Sequence, residues 1–422
     1  MRLSHITWNL AGLSLPLLVA AAVVPKLISN IGNERFGLLA LAWGLIGYAG
    51  ALDLGIGRAL TQMVARMKGE ATQHQVPDAL ATAGRITMTT GLIGAILIAA
   101  AALLGASNLI KAERIAPAEL INSMLLLALA LPAQAMSATY RGINEAYLNF
   151  KGISILRVAL GVVNFGGPFV ISLYTHNLAC LVATLVASRL MALFVYRSMA
   201  VSCLVGESHV GERKYSPELA KKLFSFGGWV AISSVVSPIM LLADRFAIAS
   251  IISASAVAIY VVPYELVVQS LILVGAISSV MFPTLTTLIR RSPNEWKRYF
   301  HRWLGIIILV MGVSCATLAI FLPNILQIWL KGAYDPQSIS VGRFLCIGVF
   351  FNSIGAMYCA LLHAFGRADL TAKMHLIELP IFIVALSVLL STLGLKGAAI
   401  AWTARTTIDA IALAVCARLN HA

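Results

Sequence analysis

Long apolar runs recur along this chain at intervals of roughly 35 residues, each long enough for the ~20 residues with which a helix crosses a hydrocarbon core at 1.5 Å per residue. No other feature restricts the fold so strongly, because backbone in lipid must satisfy its own hydrogen bonds. Runs this long and even are helices, not barrel strands. They are expected at 8–30, 36–66, 79–105, 120–147, 153–175, 177–203, 222–250, 256–289, 303–324, 338–365, 371–393 and 397–419, twelve in all. The composition agrees: 59% of the 422 residues are hydrophobic and 11% charged, against about a quarter charged in a soluble domain. The first run starts at Trp8 after only Arg2 and His5, with no clean small-residue cleavage site. It is expected to stay in the chain and not to be removed as a signal peptide.

A formal charge of +14 would suggest nucleic acid in a soluble protein, so the placement of the cations decides. With the N-terminus inside, the cytoplasmic connections hold Lys68, Lys151, Arg213, Lys214, Lys221, Lys222, Arg290, Arg291, Lys297, Arg298, Arg302, Arg367 and Lys373. The opposite connections hold little beyond Arg35, Lys111, Arg114, Lys331 and Lys396. This is the positive-inside asymmetry. It accounts for the basic balance without nucleic acid and places both termini in the cytoplasm.

The polar stretch 206–218 divides the chain near its middle and reads as a cytoplasmic linker between two six-helix lobes, 1–205 and 219–422. The halves resemble one another weakly. An offset of 221 places Trp8 over Trp229 and Phe36–Leu39 over Val257–Tyr260, while Ala183–Arg189 lies over Ala399–Arg405. Six helices return the chain to its starting side, so the repeats are parallel, a transporter arrangement. The six cysteines lie in or beside apolar runs without C-x-x-C spacing, which suits small packing residues better than disulfides or zinc. No nucleophile elbow, phosphate-binding glycine loop or metal-spaced cluster occurs. With connections this short, an integral enzyme is disfavoured, and no catalytic residue, metal or cofactor is expected.

Charges inside the runs are the candidate functional residues, because each costs about 2.5–3.5 kcal/mol at mid-bilayer unless paired, wetted or able to reach the interface. Lys26 and Arg58 lie near run ends and can snorkel. Asp53 is too short to do so. Asp53 and Arg58 are five residues apart, hence no i,i+4 pair unless Gly55 and Gly57 distort the turn. Arg189 and Arg405 lie near the midplane; Asp409, at i+4 from Arg405, is a local partner for it, whereas nothing local neutralises Arg189. Asp244 and Arg245 are adjacent and point in different directions. Glu265 and Glu378 sit at similar inner depths, where a lone carboxyl suits a proton carrier. His363 and His375 could relay protons, although interfacial roles are commoner.

The stretches W-N-L-A-G-L-S-L-P, I-G-N-E-R-F-G-L-L-A-L and D-L-G-I-G-R-A-L-T resemble the first two helices of O-antigen flippases. These form the polysaccharide-transporter branch of the multidrug/oligosaccharidyl-lipid/polysaccharide exporter superfamily. Asp244–Tyr260, Leu361–Pro380 and Gly394–Asp409 are similar to second-half stretches of the same family. The resemblance implies two six-helix lobes in a V with alternating access. It also implies transfer of undecaprenyl-diphosphate-linked oligosaccharide from the cytoplasmic to the periplasmic leaflet of a bacterial inner membrane, in company with polysaccharide polymerase and chain-length proteins. A diphosphate pairs well with guanidinium forks. Arg189, Arg405, Arg58, Arg245 and Lys26 are therefore expected to meet cargo, and Asp53, Glu265, Glu378 and Asp244 to couple ions or protons. A drug exporter of the superfamily, whose cavity would be acidic or aromatic, and a non-transporting scaffold of the assembly complex are the alternatives.

Overall fold

The computed structural model describes residues 3–48, 53–69, 72–205, 214–291 and 295–421. The described residues contain no strand. They form thirteen α-helices: α1 (Leu3–Tyr48), α2 (Ile56–Gly69), α3 (Val76–Leu103), α4 (Pro117–Ala146), α5 (Phe150–Ser172), α6 (Leu178–Val205), α7 (Pro217–Ile251), α8 (Ala254–Val268), α9 (Leu271–Arg291), α10 (Glu295–Trp329), α11 (Gln337–Ala364), α12 (Ala368–Leu393) and α13 (Leu395–His421). The chain is an all-α polytopic membrane protein. Nine helices among the described residues are long and apolar enough to cross a bilayer.

The helices differ from the twelve expected runs in how they break, in three places. First, α1 is two helices that meet in a kink at Gly32, so the break expected between the first and second runs is made by a single residue and not by a loop. Its direction changes at Gly32, whose φ of 76° and ψ of 165° lie in a region open to glycine alone. Second, the run 36–66 is not one helix: α1 ends at Tyr48 and α2 begins at Ile56. Leu54 (φ 51°) and Gly55 (φ 73°) are left-handed there, which interrupts the hydrogen-bond ladder. Third, the run 256–289 is interrupted between Val268 and Leu271. At the 221-residue offset the ends of α1 and α8 coincide to within one residue. The repeat is thus expressed as a matching interruption in each half.

The chain forms two compact units, Met1–Pro238 and Ile239–Ala422. Of the polar stretch expected as linker, 206–213 lie outside the described residues. The segment from Lys214 into α7 docks on the first unit. The Lys214 N–H donates to Asp78 Oδ1 (2.9 Å) and the Ser216 N–H to Thr82 Oγ1 (3.1 Å). Leu219 and Leu223 of α7 then join Ile56, Leu60, Val64, Leu80 and Ile143 in one apolar core. On α12, Ile377, Ile381, Val384 and Val388 form an exposed stripe at helical spacing, while Phe382, Leu386 and Leu390 are buried.

Candidate functional sites

The interruption before α2 explains Asp53. Its carboxylate is 8% exposed and accepts the N–H of Gly55 at Oδ1 (2.8 Å) and of Gly57 at Oδ2 (3.2 Å). The first donor lies just before α2 and the second in its first turn, so Asp53 caps a helix that restarts inside the bundle. The glycines distort the turn as the sequence allowed, yet the acid goes to backbone, and Arg58 is exposed. Closeness to α4 fixes the residue types here. A Cβ on Gly57 would lie 2.8 Å from the Ala138 carbonyl, and a Cβ on Gly142 would meet Gly57 O. Thr61 Oγ1 donates toward both Gly57 O and Gly142 O (3.0 and 3.1 Å). This is small-residue packing of membrane helices.

Behind that contact, α4, α5 and α6 enclose a cavity of about 270 Å³ in the first unit. Its walls carry Arg141 from α4, Arg157 from α5 and Arg189 from α6, with Gln134, Asn164 and Tyr196 between them and no acid in the lining. Arg189 Nη2 donates to Asn164 Oδ1 (3.0 Å), and its buried Nε reaches no hydrogen-bond partner. Arg141 pairs at 3.4 Å with Glu145, outside the cavity and part-exposed. Arg157 has no acid partner among the described residues. Three guanidinium groups thus line a pocket whose own walls carry no carboxylate, and among the described residues only Arg141 has an acid beside it, an arrangement whose field favours an anion.

The second unit holds further intramembrane charges, of which Asp244, Arg245 and Glu265 answer one another or nearby groups. Asp244, fully buried, accepts the Tyr260 hydroxyl (2.8 Å) and the Arg245 N–H (2.7 Å). Arg245 Nη2 donates to Glu265 Oε1 (2.7 Å), and its guanidinium lies 4.9 Å from the centre of the Tyr264 ring. Adjacent in sequence, Asp244 and Arg245 thus turn to different partners. The expected Arg405–Asp409 pair does not form. The Arg405 guanidinium lies over Phe382, 5.4 Å from the ring centre, while Asp409 Oδ1 faces His375 Nε2 at 3.9 Å. Glu378 lies beside the same pair. Lys26 of the first unit is exposed, 5.9 Å from the Phe169 ring centre.

The model of the polysaccharide biosynthesis protein family matches residues 3–289. The chain belongs to this family. A curated relative, the "Putative O-antigen transporter" of Shigella flexneri, is 27% identical over 406 residues, 96% of this chain and 95% of that protein. Among solved structures, a multidrug resistance MATE family transporter of the MOP superfamily in an inward-facing conformation superposes with a TM-score of 0.78 at 15% identity, over 98% of both chains. A MOP superfamily transporter from Pyrococcus furiosus, whose binding pocket is described as reversed in polarity, gives 0.64 at 15% identity over 97% of this chain and 93% of that one. At these identities the likeness is one of fold. The relatives so described are transporters, none an enzyme.

The structure brings one expected cargo residue, Arg189, into the cavity. Arg141 and Arg157 join it there and were not singled out from sequence. The signal that could have found them is arginine on each of three consecutive helices α4, α5 and α6. Arg245 and Arg405 belong to the second unit, and Arg58 and Lys26 are outside the cavity lining.

Proposed function

We propose that the chain is a flippase that carries an undecaprenyl-diphosphate-linked oligosaccharide, an O-antigen or related surface-polysaccharide unit, from the cytoplasmic to the periplasmic leaflet of the bacterial inner membrane. The observation that carries this reading is the arginine-lined, acid-free cavity of Arg141, Arg157 and Arg189 in a member of a polysaccharide biosynthesis family. A diphosphate needs neutralising donors wherever it leaves water, and guanidinium groups give it charge and paired N–H bonds together. The lipid tail stays in the bilayer while the headgroup passes. Drug export of organic cations would want acids where these arginines stand.

In this reading both termini face the cytoplasm, the stretch 206–218 links lobes 1–205 and 219–422, and polymerase and chain-length proteins take up the product. Arg405, Arg245, Arg58 and Lys26 supply further positive charge along the path. Coupling falls to Glu378, with Glu265, Asp244 and Asp53 as further acids, and requires cargo and ion to bind the two facing states unequally. The test is reconstitution with matched lipid-linked oligosaccharide, tracking headgroup exposure on the far leaflet with and without proton and sodium gradients. Gradient-accelerated transfer is expected. No transfer of a matched cargo by folded protein sinks the proposal.

A further inference from the structure

We propose that His375, Glu378 and Asp409 form a binding site for one monovalent cation, a proton or a Na⁺ ion, between α12 and α13 of the second unit. One ligand atom from each of the three lies within 4.8 Å of the other two, and His375 Nε2 is 3.9 Å from Asp409 Oδ1. His375 and Glu378 are three apart on α12 and so share a face. Both are half-buried, unlike the exposed Ile377, Ile381 and Val384 of the same helix.

The second observation is a set of orphaned atoms. Both carboxylate oxygens of Glu378, Asp409 Oδ1, and Nε and Nη1 of Arg405 are closed to solvent and have no hydrogen-bond partner. What Glu378 meets is the carboxylate of Asp409, an acceptor facing an acceptor. Buried polar groups left so are unfavourable. A positive particle between the two carboxylates satisfies both. A direct Arg405–Asp409 bond would be the plain structural alternative, but the Arg405 guanidinium is turned over Phe382 and those nitrogens stay unpaired.

Charge selects the occupant. The groups facing the site are His375 and Glu378 from α12, and Arg405 and Asp409 from α13. From α11, His363 lies within Coulombic reach of His375, and Cys359 of Asp409; from α7, Asp244 reaches Arg405 and is itself bonded to Tyr260. With histidines and thiol neutral, two carboxylates and one guanidinium leave a single negative charge. One monovalent cation closes that balance. A divalent ion would leave a surplus positive charge beside Arg405, and an anion would worsen the deficit. The proton, where it is the occupant, bridges Glu378 and Asp409 with His375 as the alternative acceptor.

Use of this site to drive transport rests on the flippase reading; its occupancy does not. The test uses the full chain in nanodiscs, with Na⁺ and protons themselves as probes. Infrared difference spectra are recorded across a pH series with and without Na⁺, alongside ²²Na⁺ binding. The expected result is a protonated-carboxyl band, or saturable binding of Na⁺, that is lost in both Glu378→Gln and Asp409→Asn. A band unaffected by Na⁺ identifies the proton, and a band removed by Na⁺ identifies an exchangeable site; either supports the proposal. A wild-type chain with neither signal overturns it, which requires no variant to fold. A signal unchanged in both variants also overturns it. Cation binding without headgroup transfer would leave this site standing and remove the flippase reading.

Discussion

Arg189 shows how far a single side chain can be read. A guanidinium in the middle of α6, with a buried Nε that finds no partner and one neutral contact to Asn164, is unfavourable for the empty protein. In the flippase reading an anion in the adjacent cavity supplies the partner that the guanidinium lacks. Arg189→Gln is therefore expected to keep or raise the apparent melting temperature while weakening headgroup binding about tenfold or more, the loss of one charge-assisted contact of ~1.5–3 kcal/mol. Arg189→Lys should fall between, since charge without the planar fork is a partial replacement. Melting and binding of a diphosphate-linked headgroup, measured on the same preparations, check both; parallel loss of stability and binding would make Arg189 a packing residue. Asp53 gives the opposite pattern. Its oxygens cap α2 twice, and asparagine keeps one acceptor while alanine keeps none. The expected order of thermal stability is wild type, then Asp53→Asn, then Asp53→Ala, the last lower by about 1–2 kcal/mol. Equal melting of all three would dismiss the cap. That Asp53 must be buried was legible from its short side chain and depth. Its partners were not, because they exist only where the helix stops.

At the scale of elements, apolar length located almost every helix and said little about where helices break. Hydropathy is a sum over side chains, whereas a break is set by backbone, and D-L-G-I-G stays apolar through its turn. The glycines at Gly55 and Gly57 were the available sign. Gly32 is the sharper case: between polar neighbours Asn30, Asn33 and Glu34 the sequence predicts a break between two spans, and the structure makes that break with one non-helical residue. The surroundings of Gly32 are open, with nothing within 4 Å of a modest side chain, so any penalty there comes from the backbone alone. Gly32→Ala is expected to destabilise by about 1–3 kcal/mol. Gly47→Ala, in α1 at an equally open position but within the helix, should be neutral or slightly stabilising because it relieves only glycine's entropy. Thermal melts of the two variants side by side decide it, and equal effects would place the Gly32 backbone in an ordinary helical conformation.

For the whole molecule, orientation is the property on which the proposed transport direction depends, and the cations from which the sequence argues it stand at helix ends in the fold. In α10, Lys297, Arg298 and Arg302 lie at the start, and Lys331 comes just after the other end at Trp329. At 1.5 Å per residue its 35 residues are longer than the ~30 Å core. The basic first turns therefore stand outside the hydrocarbon, where their number fixes the side. Lys214, whose N–H is held by Asp78 just before α7, belongs by the same count to the Lys297 side. Single cysteines at Lys214 and at Ala333 test this in a chain whose six native thiols, all free, have been replaced. In intact cells an impermeant maleimide is expected to label Ala333→Cys and to spare Lys214→Cys, with Lys214→Cys labelled once the membrane is opened. Labelling in the reverse order would invert the chain and, with it, the direction of transfer proposed above.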